Sequence, residues 1–143
     1  MKISFSTLAC PDFSWPDIYS MAKDFGFDGI EIRGLGKDLR VVHSGPFADS
    51  QIDSTVKKLQ SLGIEIPCLS SGCCLKYKDQ RDAVVAESDE YINRAAKLST
   101  PYIRVLADLK PMPEGEVDDA YIAILLKELG ERAAKKNVTL LVE

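Results

Sequence analysis

The chain has 143 residues, of which 45% are hydrophobic and 28% are charged, values that are ordinary for a globular domain. A domain of this length buries roughly 70% of the surface that its unfolded chain exposes, so we expect one domain with its own core. The formal net charge of −4 provides no general electrostatic attraction to nucleic acid or to an anionic membrane.

The first half of the chain alternates short apolar segments with amphipathic ones. Ser14 and Asp17 have the spacing of a helix capping box, and apolar residues recur at helical spacing until Gly26. Gly63 ends a second amphipathic segment, and an isoleucine-containing run of the kind found in strands follows each glycine. The predicted elements are a strand at 3–8, a helix at 14–26, a strand at 29–33, a loop at 34–49, a helix at 50–63 and a strand at 64–69.

The second half repeats this alternation. The small residues Ser70, Ser71 and Gly72 predict a loop after the third strand. Asn137 is predicted to end the last helix in a left-handed conformation. The remaining predicted elements are a helix at 82–98, a strand at 102–106, a loop at 107–116, a helix at 117–136 and a strand at 138–143.

Strands that alternate with helices indicate βαβ units and a parallel sheet, either an open doubly wound sheet or part of a (β/α)8 barrel. An open nucleotide-binding sheet would place a glycine-rich turn after its first strand, where this chain has CPDFSW. Charged residues stand inside the strands at Glu31, Arg33 and Arg104, and Glu143 ends the fifth strand. In a barrel such residues point inward, where they pair with one another and line an active site. The pattern therefore favours the barrel.

A complete barrel of this type has about 250 residues and eight strands. The predicted elements are five strands and four helices. We therefore interpret residues 1–143 as a single α/β domain that forms the N-terminal half of a (β/α)8 barrel, with the sequence ending after the fifth strand. An open half barrel exposes a strand edge and an apolar inner face, so we expect a homodimer or higher oligomer of this fragment.

Several segments together resemble the opening of the xylose isomerase-like TIM barrels, the sugar phosphate isomerase/epimerase group. These segments are KISFSTLACPDFSW, AKDFGFDGIEIRG, YIRVL and KKNVTLLVE, and the resemblance covers the whole chain. It implies that the glutamate ending the fifth strand, Glu143, binds a divalent metal (Mn²⁺, Mg²⁺ or Zn²⁺) and acts as an acid/base group. The family's other ligands, an Asp, a His and a second Glu from later strands, have no counterpart in this sequence. The implied reaction is proton transfer next to a carbonyl through an enediolate.

Five further residues are candidates for substrate contact. The resemblance implies an aromatic wall for a sugar after the first strand, where Trp15 stands, although Trp15 equally fits packing at a helix start. Arg33 and Arg104 suit hydroxyls or a phosphate, or an internal ion-pair cluster. His43 lies in the loop after the second strand, which is the catalytic face of a barrel, and Ser71 offers a hydroxyl after the third strand.

The first functional hypothesis is therefore a fragment of a divalent-metal-dependent sugar or sugar-phosphate isomerase or epimerase, inactive as this chain alone. The alternative is a half barrel without a complete site that self-associates or acts as a binding module. A keto-inositol dehydratase uses similar chemistry. An apurinic-site endonuclease is disfavoured because no histidine follows the third or fourth strand.

The sequence predicts a cytoplasmic protein. The segment MKISFSTLACP has one lysine and no long apolar core, so it predicts no signal peptide, and no apolar run approaches the ~20 residues of a spanning helix. The four cysteines lack CxxC and zinc-site spacing, which predicts reduced thiols. The expected partner is a small sugar or sugar phosphate, not nucleic acid or a membrane.

Overall fold

A computed structural model describes residues 1–43, 45–109 and 117–143. Within these ranges the chain alternates strands and helices in the predicted order. The strands are β1 (Ser4–Ser6), β2 (Gly29–Glu31), β3 (Cys68–Cys74), β4 (Tyr102–Leu106) and β5 (Thr139–Val142). The helices are α1 (Trp15–Asp24), α2 (Ile52–Leu62), α3 (Arg81–Leu98) and α4 (Asp119–Ala134), with short 3-10 helices at Thr7–Ala9, Val41–His43, Gly45–Phe47 and Lys78–Gln80.

Every pairing between these strands is parallel. β1 pairs with β2, and β3 with β4 and β4 with β5 form a second sheet. Isolated parallel bridges, Gly29 with Glu65 and Ile32 with Leu69, connect β2 to the chain that forms β3. Strand order therefore follows sequence order, which confirms the prediction of parallel β/α units forming part of a TIM barrel.

Local sequence signals set the helix boundaries. The Ser14 hydroxyl accepts a hydrogen bond from the Asp17 N–H at 3.4 Å, and Ser14 N–H donates to the Asp17 carboxylate at 3.2 Å, so the predicted capping box forms. Gly63 ends α2 with a φ of 70°, and Asn137 follows α4 with a φ of 58°. Both residues are in the left-handed conformation that ends helices and redirects the chain into the next strand.

The core lies between the strands and the helices. Ile30, Leu69 and Ile103 on neighbouring strands are at most 1% exposed and belong to one cluster with residues of α1, α2 and α3. A second cluster packs Val105 of β4 against α4, around Leu125. Burying a side chain of this size contributes about 1.5–3 kcal/mol, so these contacts hold the helices against one side of the strands. The other side of the strands is called the inner face below.

The third strand differs from its predicted position. We predicted a strand at 64–69 followed by a loop, but β3 runs from Cys68 to Cys74 and includes Ser70, Ser71 and Gly72. The main chain of this segment hydrogen bonds to both neighbours, as in the Ser70 N–H to Ile32 carbonyl bond at 2.8 Å. Tertiary pairing therefore outweighs the low strand propensity of serine and glycine.

Smaller differences occur at other element ends. β1 stops at Ser6, and Thr7–Ala9 is a 3-10 helix. The predicted loop at 107–116 lies outside the described residues from position 110 onward, and α4 begins at Asp119. No helix in the described part of the chain is long and apolar enough to cross a membrane.

Candidate functional site

The inner face carries a row of polar side chains across three strands. Ser70 of β3 pairs in register with Arg104 of β4. The Ser70 hydroxyl donates a hydrogen bond to the Glu31 carboxylate of β2, so these side chains connect neighbouring strands. The sequence predicted the inward direction of Glu31 and Arg104, but not the serine between their strands.

Glu143 lies at the carboxyl end of this row. Its carboxylate forms an ion pair with the Arg104 guanidinium, whose side chain is only 16% exposed, while the Glu143 side chain is 68% exposed. Glu143 N–H donates to the Val105 carbonyl oxygen at 3.1 Å and its own carbonyl accepts from Ala107 N–H at 2.9 Å. The main chain of Glu143 is thus fixed against β4, and its carboxylate remains accessible to a ligand.

A second charged pair, which the sequence reasoning missed, lies at the ends of β3 and β4. Lys76 Nζ is 3.5 Å from Asp108 Oδ1, and the two side chains are 18% and 15% exposed. Asp108 has the same parity as Arg104, four residues earlier. Continuing the strand alternation beyond the predicted end at Leu106 would have indicated Asp108 as an inner-face residue.

Arg33 lies after β2, at the start of the following loop. Its N–H donates to the Thr7 hydroxyl at 3.0 Å, and its guanidinium donates to the Leu39 carbonyl oxygen at 3.4 Å. Arg33 is half-buried and holds the first two strand ends together. These hydrogen bonds connect Arg33 to the Thr7 side chain and the Leu39 main chain, and neither of them reaches the Arg104–Glu143 pair.

Ser71 is fully buried. Its hydroxyl donates to the Arg104 carbonyl oxygen at 2.7 Å and accepts from the Cys73 N–H at 3.3 Å. These bonds bridge the irregular register between β3 and β4. They give Ser71 a structural role, and the predicted substrate contact receives no support from its position.

His43 faces α3. Its Nε2 atom is 3.0 Å from Glu90 Oε2, an oxygen that also accepts from Arg40 Nη2 at 2.5 Å. Burial alone would raise the pKa of the Glu90 carboxyl, but the hydrogen bonds from Arg40 and His43 outweigh burial and hold that pKa below its ordinary value. His43 therefore belongs, with Arg40 and Glu90, to an ion-pair network at the surface of α3.

Trp15 begins α1 and packs edge-on against Tyr19 and Phe47, with ring centroids at 5.7 and 5.3 Å. It also lines an open cavity of about 380 Å³ together with Phe13 and Pro46. The loops after β1 and β2 form this cavity, so it lies at the carboxyl end of the strands. Packing and ligand contact are therefore both compatible with the position of Trp15.

The donor set does not complete a metal site. Among residues 1–43, 45–109 and 117–143, no group of three or more His, Cys, Asp or Glu side chains is placed to hold a metal ion. Glu143 instead contacts a cation, the Arg104 guanidinium. At the end of β5 the described residues therefore supply one exposed carboxylate, that of Glu143, whereas a protein-held cation needs several ligands.

The sequence profile of the family described as xylose isomerase-like TIM barrel matches residues 20–143. The chain belongs to this family. The match covers β2 to β5 and includes Arg104 and Glu143, which agrees with the resemblance seen in the sequence. No curated protein matches the chain.

Solved structures of xylose isomerase-like barrels share the fold. The probable 3-DHS dehydratase AsbF from Bacillus anthracis matches with a TM-score of 0.80 and 20% identity, over 99% of this chain and 52% of that protein. The IolI protein with a bound zinc atom matches with a TM-score of 0.79 and 18% identity, over 99% and 51%. A D-psicose 3-epimerase solved in the presence of D-fructose matches with a TM-score of 0.76 and 18% identity, over 99% and 52%.

The chain thus spans about half the length of these three solved proteins. At such identities the likeness shows the fold, and the substrates named for the neighbours belong to those proteins. Zinc is bound in one solved family structure and magnesium in another, so divalent metals occur in the family.

Proposed function

We propose that this chain belongs to a divalent-metal-dependent sugar or sugar-phosphate isomerase or epimerase, with Glu143 as an acid/base residue. The observation that carries the proposal is the position of Glu143, an exposed carboxylate at the carboxyl end of β5, held by Arg104. In barrels of this type, the active site lies at the carboxyl ends of the strands. The family and the epimerases among its solved members support the same reaction class.

The reaction requires a base that removes the proton next to a carbonyl group and returns it on the neighbouring carbon or the opposite face. Arg104 bonds to Oε2 of Glu143, which leaves the other carboxylate oxygen for that proton. A divalent ion such as Mn²⁺, Mg²⁺ or Zn²⁺, when bound, would polarise the carbonyl and stabilise the enediolate. Glu143 is the described residue that we assign to that ion, as one ligand of an incomplete set.

Dehydration is a second reaction that begins with the same proton abstraction, and a probable dehydratase is among the structural neighbours. The expected partner in either case is a small sugar or sugar phosphate. We propose a cytoplasmic location, as the sequence indicated.

Paramagnetic broadening by Mn²⁺ tests the assignment of Glu143. In the amide NMR spectrum of the 143-residue protein, low Mn²⁺ concentrations should broaden signals of Glu143 and its bonded neighbours Val105 and Ala107 first. Glu143→Gln removes the carboxylate charge at constant size and should abolish this local broadening. Glu131→Gln changes an exposed carboxylate of α4 and should leave it unchanged. Broadening at the β5 end that persists in Glu143→Gln contradicts the proposal.

A non-enzymatic alternative is favoured by one observation, the exposure of apolar side chains around β5. Tyr102 and Leu141 on the inner face are each 42% exposed, and Val142 is 50% exposed. Apolar groups beside an open strand edge favour association with another chain. We therefore propose that the chain forms a homodimer or higher oligomer through this region.

A further inference from the structure

The pair of Lys76 and Asp108 lies beside the strand end that carries Glu143. The Ala107 N–H, one residue before Asp108, donates to the Glu143 carbonyl oxygen at 2.9 Å. The ends of β3, β4 and β5 thus bring three charged side chains to one edge of the sheet. In parallel barrels this edge is where ligands bind.

The two carboxylate oxygens of Asp108 have different surroundings. Oδ1 accepts a hydrogen bond from the Leu109 N–H at 2.7 Å and is 3.5 Å from Lys76 Nζ. Oδ2 is buried and has no hydrogen-bond partner among the described residues. A buried acceptor without a donor is destabilising, and such atoms are rare enough in native proteins to require an explanation. The contact with Lys76 and Leu109 therefore satisfies only one of the two carboxylate oxygens of Asp108 among the described residues.

The charge of the pair indicates which donor would complete it. Lys76 already compensates the negative charge of Asp108 through Oδ1. A phosphate group would bring further negative charge to Oδ2, which like-charge repulsion disfavours. A hydroxyl group, in contrast, offers an O–H donor without adding charge.

We propose that Asp108 is a substrate-binding residue whose Oδ2 accepts a hydrogen bond from a hydroxyl group of an unphosphorylated polyhydroxylated ligand, while Lys76 positions its carboxylate. The inference rests on the proposed function, because it places this hydroxyl next to the reacting group at Glu143. It adds a specificity residue and favours a free sugar over a sugar phosphate at this end of the site.

Ligand-observed NMR titration of the 143-residue protein tests the proposal, with D-fructose and D-fructose 6-phosphate as probes. Asp108→Asn preserves the size of the side chain and an acceptor for the Leu109 N–H, but it replaces one oxygen by an NH₂ donor. We expect the Kd for D-fructose to rise about tenfold, the usual effect of losing a hydrogen bond to a charged group. Asp79→Asn, an exposed residue of the Lys78–Gln80 turn, should leave the Kd unchanged.

A second variant covers the case in which Asp108→Asn does not fold. Asp108→Glu keeps the charge that pairs with Lys76 and displaces the carboxylate by one methylene, so it should also weaken D-fructose binding. Unmodified protein should bind D-fructose more tightly than D-fructose 6-phosphate. The proposal is overturned by equal D-fructose affinity in the folded variants and unmodified protein, by tighter binding of the phosphorylated sugar, or by no D-fructose binding.

Metal titration separates this proposal from the proposed function. One outcome is that Mn²⁺ broadening depends on Glu143 while the Kd for D-fructose is unchanged by substitution of Asp108. This outcome overturns only the role of Asp108 as a hydroxyl acceptor. D-fructose binding that depends on Asp108 without any Mn²⁺ effect at Glu143 supports that role and overturns the metal-dependent reaction alone. Asp108→Asn itself should leave the Mn²⁺ effect intact, because Asp108 is not assigned to the metal.

Discussion

Arg104 connects the strand interior to the strand end on the inner face. The Arg104 side chain is mostly buried, and its Nη1 atom donates a hydrogen bond to the Glu143 carboxylate. Its Nε atom has no hydrogen-bond partner among the described residues. An exposed ion pair contributes only about 0.2–1 kcal/mol, and the high exposure of Glu143 places this pair near that range. The pair therefore matters more for orienting the Glu143 carboxylate than for stability.

Gly29 offers a test of packing at the residue scale. A Cβ atom there would lie 2.6 Å from Ser4 Oγ, 3.1 Å from Pro67 Cδ and 3.2 Å from the Glu65 carbonyl oxygen. The serine side chain is able to move away, but the proline ring and the carbonyl belong to the junction of β2 with the chain before β3. We expect Gly29→Ala to lower the free energy of unfolding by about 1–3 kcal/mol, measured by urea denaturation.

Gly130→Ala is the matched control for this substitution. Gly130 lies in α4, and no atom outside its own helix environment lies within 4 Å of the added Cβ. Alanine should stabilise that helix by up to about 1 kcal/mol. If Gly29→Ala leaves the free energy of unfolding unchanged or raises it, β2 does not approach residues 65–67 as closely as the structure indicates.

At the scale of elements, α3 is joined to the segment before α2 by charged side chains. The Asp49 carboxylate accepts hydrogen bonds from Lys97 at 2.6 Å and from Arg94 at 2.9 Å. Arg94 is only 6% exposed, so its stem packs in the helix interface while its charged end reaches Asp49. Removing Asp49 would leave a mostly buried cation without this partner.

This contact predicts a pH dependence of stability. The hydrogen bonds from Lys97 and then Arg94 hold the pKa of the Asp49 carboxyl below its ordinary value of 3.8. A depressed folded-state pKa means that the unfolded state binds more protons, so the stabilisation is complete above the unfolded pKa and is lost as pH falls through the lower, folded pKa. The difference in unfolding free energy between unmodified protein and Asp49→Asn should therefore be largest near neutral pH and shrink in acid.

Chemical denaturation at a series of pH values measures this difference. Asp12→Asn, in the exposed loop before α1, is a control for the general effect of replacing one carboxylate by an amide. A pH-independent difference for Asp49→Asn would show that its ion pairs are absent in solution.

The elements differ in whether local sequence or tertiary contacts determine their boundaries. Caps and helical periodicity are local, so the Ser14 box, the turn at Gly63 and the left-handed Asn137 were predicted correctly. β3 was misplaced because its strand structure depends on pairing with Arg104 and Ile103 of β4, which is not visible in the local pattern of Ser70 and Ser71. The inward position of Arg104 followed from strand alternation, whereas the Lys76–Asp108 pair lies beyond the predicted strand ends.

At the scale of the whole molecule, the five strands lie in sequence order in two parallel sheets joined by isolated bridges, and the helices pack against one side of them. Polar residues occupy the middle of the inner face, where Glu31, Ser70 and Arg104 connect. The exposed apolar side chains of this face lie on β4 and β5, at Tyr102 and Leu141, each 42% exposed. Exposed apolar groups beside the β5 edge favour an association that covers this edge and leaves the carboxyl ends of the strands accessible.

Sedimentation equilibrium measures that association directly. We expect a concentration-dependent mass above the 15.8 kDa of one chain. An oligomer would bury Leu141 and pair the free main-chain groups at the outer edge of β5. Leu141→Gln should shift the equilibrium toward monomer. Ile124→Gln replaces another exposed apolar residue, 70% exposed on α4 and away from the inner face, and should leave the oligomer intact. A monomer at all concentrations, or equal effects of both substitutions, would mean that the β5 region is not the interface.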